Sequence, residues 1–191
     1  MTRDELAHIL RSASRIVGEQ DIVVIGSQSI LGSFTDSELP DPAIASIEAD
    51  LAFLDDPDHT KADKVDGAIG EDSQFHATFG YYGQGVSVTT AVLPAGWRDR
   101  VVVFDNADTR PGRGLCLDPH DLVVSKLAAG REKDFEFAAA LLLAGLIDAD
   151  VLSERAEILD TVPAVRRRVV TWIKAFTARV ENDDGPGAAE G

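Results

Sequence analysis

Cysteine is almost missing from this chain of 191 residues: Cys116 stands alone. A lone cysteine excludes an internal disulfide and any cysteine-rich zinc module. The four histidines, His8, His59, His76 and His120, are scattered without ligand spacing and read as surface or capping residues. No apolar run approaches the roughly 20 residues that cross a bilayer. The charged start Met1-Thr-Arg-Asp-Glu-Leu6 lacks the long apolar segment of a secretory signal. These absences set the expectation of a cytoplasmic protein with no membrane association.

Positive charge is scarce as well. There are 18 Lys/Arg against 33 Asp/Glu, a formal net charge of -15, which argues against non-specific binding to duplex nucleic acid. The deficit is uneven, with 5 Lys/Arg against 16 Asp/Glu in residues 1–97 but 13 against 13 in residues 98–180. Arg98, Arg100, Arg110, Arg113, Lys126, Arg131, Lys133 and Arg166-Arg-Arg168 are therefore available in the second half to contact phosphates. What the chain does have is 45% hydrophobic residues, enough for a real core in one domain with a helical appendage.

The informative stretch runs from Ile22 to Phe53. Asp21-Ile-Val-Val-Ile25 is short, β-branched and stopped by Gly26, the pattern of a buried strand. Gly26-Ser27 then turns into a small apolar helix over Gln28–Phe34, whose N-terminal amides and dipole suit a phosphate. A second strand, Ser46-Ile-Glu-Ala-Asp-Leu-Ala-Phe53, has a side-chain period of two. That period sends Ile47, Ala49 and Leu51 to one face and Glu48 and Asp50 to the other. Two carboxylates side by side repel, and a divalent cation reverses the sign. Mg²⁺ takes one or two carboxylates together with substrate phosphate oxygens, so this order of elements describes a metal-nucleotide site.

Elsewhere, residues 3–17 predict an amphipathic helix with Leu6, Ile9, Leu10 and Ala13 inward. Thr35–Pro42 is a polar, proline-bearing loop, and Lys61–Ile69 a helix stopped by Gly70. Gly80-Tyr-Tyr-Gly-Gln-Gly85 reads as a bend leading into a strand over Val86–Thr90, with Tyr81 and Tyr82 in core or rim positions. Arg98–Phe104 carries another buried strand, and Thr109–Gly114 a hairpin-like loop. From Asp118, which caps a helix with Pro119 at its first position, the pattern is helical: His120–Ala129, Phe135–Leu146, Ala149–Leu159 and Pro163–Val180.

Lys126 with Arg131-Glu-Lys133-Asp134 forms a second constellation. A lysine supplies a compact charge for triphosphate oxygens. An aspartate about two helical turns on can orient it, complete a metal site or take a proton from an attacking hydroxyl.

In this order, Gly26-Ser27, Glu48-Ala-Asp50, Lys126 and Arg131-Glu-Lys133-Asp134 resemble the series in nucleotidyltransferase-like toxins of the AbiEii/MenT type, minimal members of the polymerase-β-like superfamily. The resemblance covers about residues 20–145 and includes Ser46-Ile-Glu-Ala-Asp-Leu51 and Leu117-Asp-Pro-His-Asp-Leu-Val-Val-Ser-Lys-Leu127. It implies an α/β (α+β) fold: a polymerase-β-like core with a small mixed sheet in residues 1–115, then a C-terminal helical bundle in residues 116–180 that carries Lys126 and Asp134. Residues 181–191 are expected to be a disordered acidic tail. It further implies that Gly26, Ser27, Lys126 and Arg131 bind the nucleotide, that Glu48 and Asp50 bind Mg²⁺, and that Asp50, Lys126 and Asp134 are catalytic. The activity implied is Mg²⁺-dependent transfer of nucleotides from an NTP, CTP or UTP by preference, to the 3′ acceptor end of tRNA, blocking translation under restraint by a cognate antitoxin. The alternatives are an inactive nucleotide-binding or interaction domain, and transfer to a protein or small-molecule hydroxyl.

Overall fold

The structure, a computed structural model, describes residues 1–183. Its centre is β1 (Asp21–Val24), an apolar strand buried on both sides and flanked in the sheet order β3-β2-β1-β5-β4. β1 runs antiparallel to β2 (Glu48–Ala52) and parallel to β5 (Arg113–Cys116). β2 pairs in parallel with β3 (Tyr82–Gly85), and β5 pairs antiparallel with β4 (Val102–Phe104). The sheet is thus mixed, as expected for an α/β nucleotidyltransferase core.

The first helix, α1 (Arg3–Val17), starts in a capping box in which Thr2 Oγ1 accepts from the Glu5 amide and Glu5 accepts from the Thr2 amide. Its face of Leu6, Ile9, Leu10 and Ala13 is fully buried. With α3 (Thr60–Ile69) it covers the sheet near β2 and β3. The short α2 (Asp41–Ile44) lies before β2, and α4 (Gln74–Phe79) before β3. After β5 the chain is helical: α5 (Pro119–Ala129), α6 (Glu132–Leu143), α7 (Ala149–Glu157) and α8 (Pro163–Asp183). Asp118 caps α5, its carboxylate accepting from the amides of His120 and Asp121. One continuous core joins the sheet to these helices, from Leu6 and Val23 through Leu122 and Leu141 to Ile173. None of the described helices is long and apolar enough to cross a membrane.

Several expectations are corrected. The strand near the tyrosines is Tyr82–Gly85, inside the glycine-rich stretch, and Val88–Thr90 is a single 3₁₀ turn. The cause is packing: an added Cβ at Gly83 would come within 2.9–3.2 Å of Ile9, Ile69 and Leu51 side chains, and one at Gly85 within 2.0 Å of the Ala62 carbonyl oxygen. Glycine is what lets α1 and α3 lie directly on the strand. Ile47 is 48% exposed because β2 begins only at Glu48. β4 is an edge strand, so Val103 faces solvent and only Phe104 is buried. Arg131-Glu-Lys-Asp134 starts α6, with Asp134 capping it, but the helix ends at Leu143, three residues short of Leu146. The last helix continues through Glu181 and Asn182 to Asp183, since no glycine or proline interrupts those residues; the rest of the expected tail lies outside the described residues.

Replacing Gly85 by alanine should lower unfolding stability by about 1–3 kcal/mol through overpacking against α3. Gly67→Ala, at an exposed position of α3 with nothing near the new methyl, should raise it by about 0.5–1 kcal/mol. Chemical denaturation of the two variants beside the parent checks both signs.

Candidate active site

Strand alternation places Glu48 and Asp50 on the face of β2 opposite Ala49 and Leu51, both of which are fully buried. The antiparallel pairing of β1 with β2 then brings the end of β1 against Asp50, with the Ile25 amide donating to the Asp50 carbonyl at 3.1 Å. The next residue, Gly26, has an extended backbone and leaves its side-chain space to the aspartate. A Cβ added there would lie 1.6 Å from Asp50 Oδ2 and 2.6 Å from its Cγ. Glycine is required here by close approach.

Ser27 opens a six-residue 3₁₀ helix, Ser27–Gly32, in place of the expected α-helix over Gln28–Phe34. Burial of Gln28, Ser29, Ile30 and Leu31 holds this tight turn in place. It is too short to contribute the macrodipole expected of an α-helix. What the turn contributes is small residues beside the carboxylates.

The opposite wall comes from the corner between α5 and α6. Lys126 is buried along its length, with Nζ 4.7 Å from the centroid of the Phe137 ring. Its Nζ donates to Asp134 Oδ1 at 3.2 Å. Arg131 grips the same carboxylate with two prongs, Nε to Oδ2 at 2.7 Å and Nη2 to Oδ1 at 3.1 Å, and its backbone amide donates to Oδ2 at 3.2 Å. Asp134 is fully buried, whereas the Arg131 side chain is 60% exposed. The aspartate therefore orients both cations and caps α6.

Between these walls lies a cavity of about 660 Å³, lined by Gly26, Ser27, Glu48, Asp50, Lys126 and Arg131 among others. Of the residues singled out in the sequence, those six and Lys133 meet in one cavity, and Asp134 lies beneath it. Lys133 and Glu136, three residues apart on the first turns of α6, also line it, as do Ser46 and Ser125. The i, i+3 spacing of Lys133 and Glu136 is the signal that could have found Glu136; nothing in the sequence marks Ser46 or Ser125.

Electrostatics follow from this geometry. Burial, then the charge of Glu48 and a carboxyl-carboxylate contact with it, push the Asp50 carboxyl up to about 6, against the pull of Lys126 and Arg131. Tyr82, the register neighbour of Glu48, is pushed up to about 12 by burial and then by Glu48. Burial lowers Lys126, with Asp134 opposing. Asp134 is held below the usual carboxylate range: burial works against this, but the Arg131 hydrogen bonds and the Lys126 charge outweigh it.

A proton shared between two facing carboxylates marks a place where a divalent cation fits. Among the described residues no set of three or more His, Cys, Asp or Glu side chains is gathered for a metal. Glu48 and Asp50 would therefore supply two ligands to Mg²⁺, with water and substrate phosphate oxygens completing its shell, the usual manner of Mg²⁺-nucleotide sites.

Many of the second-half arginines are engaged in contacts within the molecule. Arg100 pairs with Asp121 and Arg113 with Asp21. Arg166 donates to the Leu159 carbonyl and Arg168 to that of Ala128. The cations that face the cavity are Lys126, Arg131 and Lys133.

A carboxylate pair on one strand of a small mixed sheet, facing a Gly-Ser turn and a lysine-bearing helix, is the layout of a nucleotidyltransferase. Over residues 4–177 the sequence matches the family described as nucleotidyltransferase of unknown function (DUF6036), and the chain belongs to that family. No curated protein and no solved structure gives a significant match.

Two outcomes follow from the site. The folded pKa of Asp50 is above that of an unfolded aspartate, so its contribution favours folding at low pH and is lost as pH rises from about 4 to about 6. In metal-free buffer, Asp50→Asn should therefore gain stability relative to the parent across that window, by about 1–3 kcal/mol, read from denaturation curves at several pH values. Asp134→Asn, which weakens the partner of two cations and a helix cap, should cost about 2–4 kcal/mol, whereas Lys126→Met should cost less because Arg131 still neutralises Asp134. Thermal melts of the two variants give the order.

Proposed function

We propose that the chain transfers a nucleotide from a nucleoside triphosphate to the 3′ hydroxyl of tRNA, with CTP or UTP as donor, and that a cognate antitoxin restrains the resulting block of translation. The observation that carries nucleotidyl transfer is the meeting of Glu48 and Asp50 with Gly26-Ser27 on one wall of a cavity whose other wall is Lys126, Arg131 and Lys133. The choice of tRNA and of a toxin role is supported by the resemblance of the motif series to AbiEii/MenT-type proteins.

In this reading Lys126, held by Asp134, and the exposed Arg131 and Lys133 bind the triphosphate oxygens. Gly26 lets Asp50 close against the end of β1 at the cavity wall where the α-phosphate would lie. The acceptor oxygen attacks the α-phosphorus, the bond from that phosphorus to the α,β-bridging oxygen breaks, and pyrophosphate leaves against the cationic wall. The hydroxyl proton passes to a carboxylate oxygen of the Glu48–Asp50 pair. Mg²⁺ held by these two carboxylates would neutralise phosphate charge and acidify the attacking hydroxyl.

One observation favours a second reading, in which the acceptor hydroxyl belongs to a protein or small molecule. The net charge is -15, and Arg100, Arg113, Arg166 and Arg168 are occupied internally, so the basic residues counted in the sequence do not add up to a broad track for a tRNA arm.

Incubation with each α-labelled NTP, Mg²⁺ and total RNA tests the proposal. Label should appear in tRNA with a pyrimidine nucleotide, and Asp50→Ala should reduce it by about 10²-fold or more. Label confined to protein would favour the second reading. Nucleotide binding without any transfer would leave a binding domain.

A further inference from the structure

The glycine-tyrosine stretch that opens β3 has no part in the chemistry described so far, yet its register ties it to the carboxylates. β2 and β3 are parallel, with Glu48 opposite Tyr82, Ala49 opposite Gly83, Asp50 opposite Gln84 and Leu51 opposite Gly85. Partners in a parallel pair share a face. Gly83 and Gly85 lie with Ala49 and Leu51 against α1 and α3, and Tyr82 and Gln84 lie with Glu48 and Asp50 on the other face.

Tyr82 is only 7% exposed and does not line the cavity. Its ring packs against that of His76 from α4, with centroids 4.7 Å apart, which limits how far the hydroxyl can swing. Its register partner on the same sheet face is Glu48, one strand away.

We propose that Tyr82 is a positioning residue for Glu48: its hydroxyl donates to one carboxylate oxygen and so turns the other toward Asp50 and the cavity. A neutral phenol beside a carboxylate makes a short, charge-assisted hydrogen bond. Such a device matters in a site with only two protein carboxylates, since each ligand must then be well oriented before the cation arrives. The inference rests on the reading of Glu48 and Asp50 as cation ligands. Glu71 is the competing acceptor, being the second carboxylate whose charge reaches Tyr82.

The test is a titration of the full chain with Mn²⁺ as a Mg²⁺ substitute, with free Mn²⁺ read by electron paramagnetic resonance. The parent, Tyr82→Phe, Glu71→Gln and Glu48→Gln are compared, and thermal melts confirm that each is folded. Tyr82→Phe should weaken Mn²⁺ uptake about tenfold, and Glu71→Gln should bind like the parent. In turnover, Tyr82→Phe should raise the Mg²⁺ concentration for half-maximal rate and leave kcat at saturating metal unchanged. Unaltered Mn²⁺ uptake by Tyr82→Phe, or equal weakening in Glu71→Gln, would overturn the assignment. If the parent takes up Mn²⁺ no better than Glu48→Gln, the cation reading of the strand fails and this inference falls with it.

Discussion

Repulsion between Glu48 and Asp50 is the constraint around which this molecule is built. Two carboxylates two residues apart on one strand face cannot both ionise freely in a half-buried setting, and the cost appears as a proton retained on Asp50 to about pH 6. The neighbours are arranged to make that pair tolerable. Gly26 gives up its side-chain volume to Asp50, and the positive charges of Lys126 and Arg131 offset part of the repulsion from across the cavity. A bound cation would complete the compensation. Without the pair, nothing in the packing would require a glycine at the end of β1 or a buried lysine on α5.

The cationic wall has its own need for support, because a lysine buried among apolar side chains loses hydration that water would otherwise supply. Asp134 meets it by accepting from Lys126 and from both prongs of Arg131, while also capping the helix that carries it. The other end of α5 is held in a related way. Asp121, fully buried, is ion-paired with Arg100 from the turn before β4 and with Arg155 of α7. Asp118 caps the same helix. Thus α5 is pinned at its first turn by one buried aspartate and near its last by another, which keeps Lys126 at a set distance from the strands. The arginines used as pins are no longer free for a ligand, which is why a count of basic residues in the second half overstates its affinity for phosphate.

Much of this was legible in the chain because it depends on short-range rules. Period-two alternation places Glu48 and Asp50 on one face, amphipathic spacing locates α1, and capping chemistry locates α5 from Asp118 and Pro119. The glycine-rich stretch has the local pattern of a bend, but its glycines mark where two helices lie on a strand. The Gly-Ser turn was overread as a helix N-terminus, since buried contacts of Ile30 and Leu31 select a 3₁₀ turn that propensity does not reveal.

By itself the sequence determined the order of elements, the face shared by the two acids, the capped lysine-bearing helix and the motif series that resembles nucleotidyltransferases, because each depends on residues within a few positions of one another. The tertiary structure alone decided that Gly26 abuts Asp50, that the corner carrying Lys126 and Arg131 faces the two carboxylates across one cavity, and that Tyr82 is the register partner of Glu48. Those facts depend on strand order and helix docking, which bring together residues 24 or more positions apart in the chain.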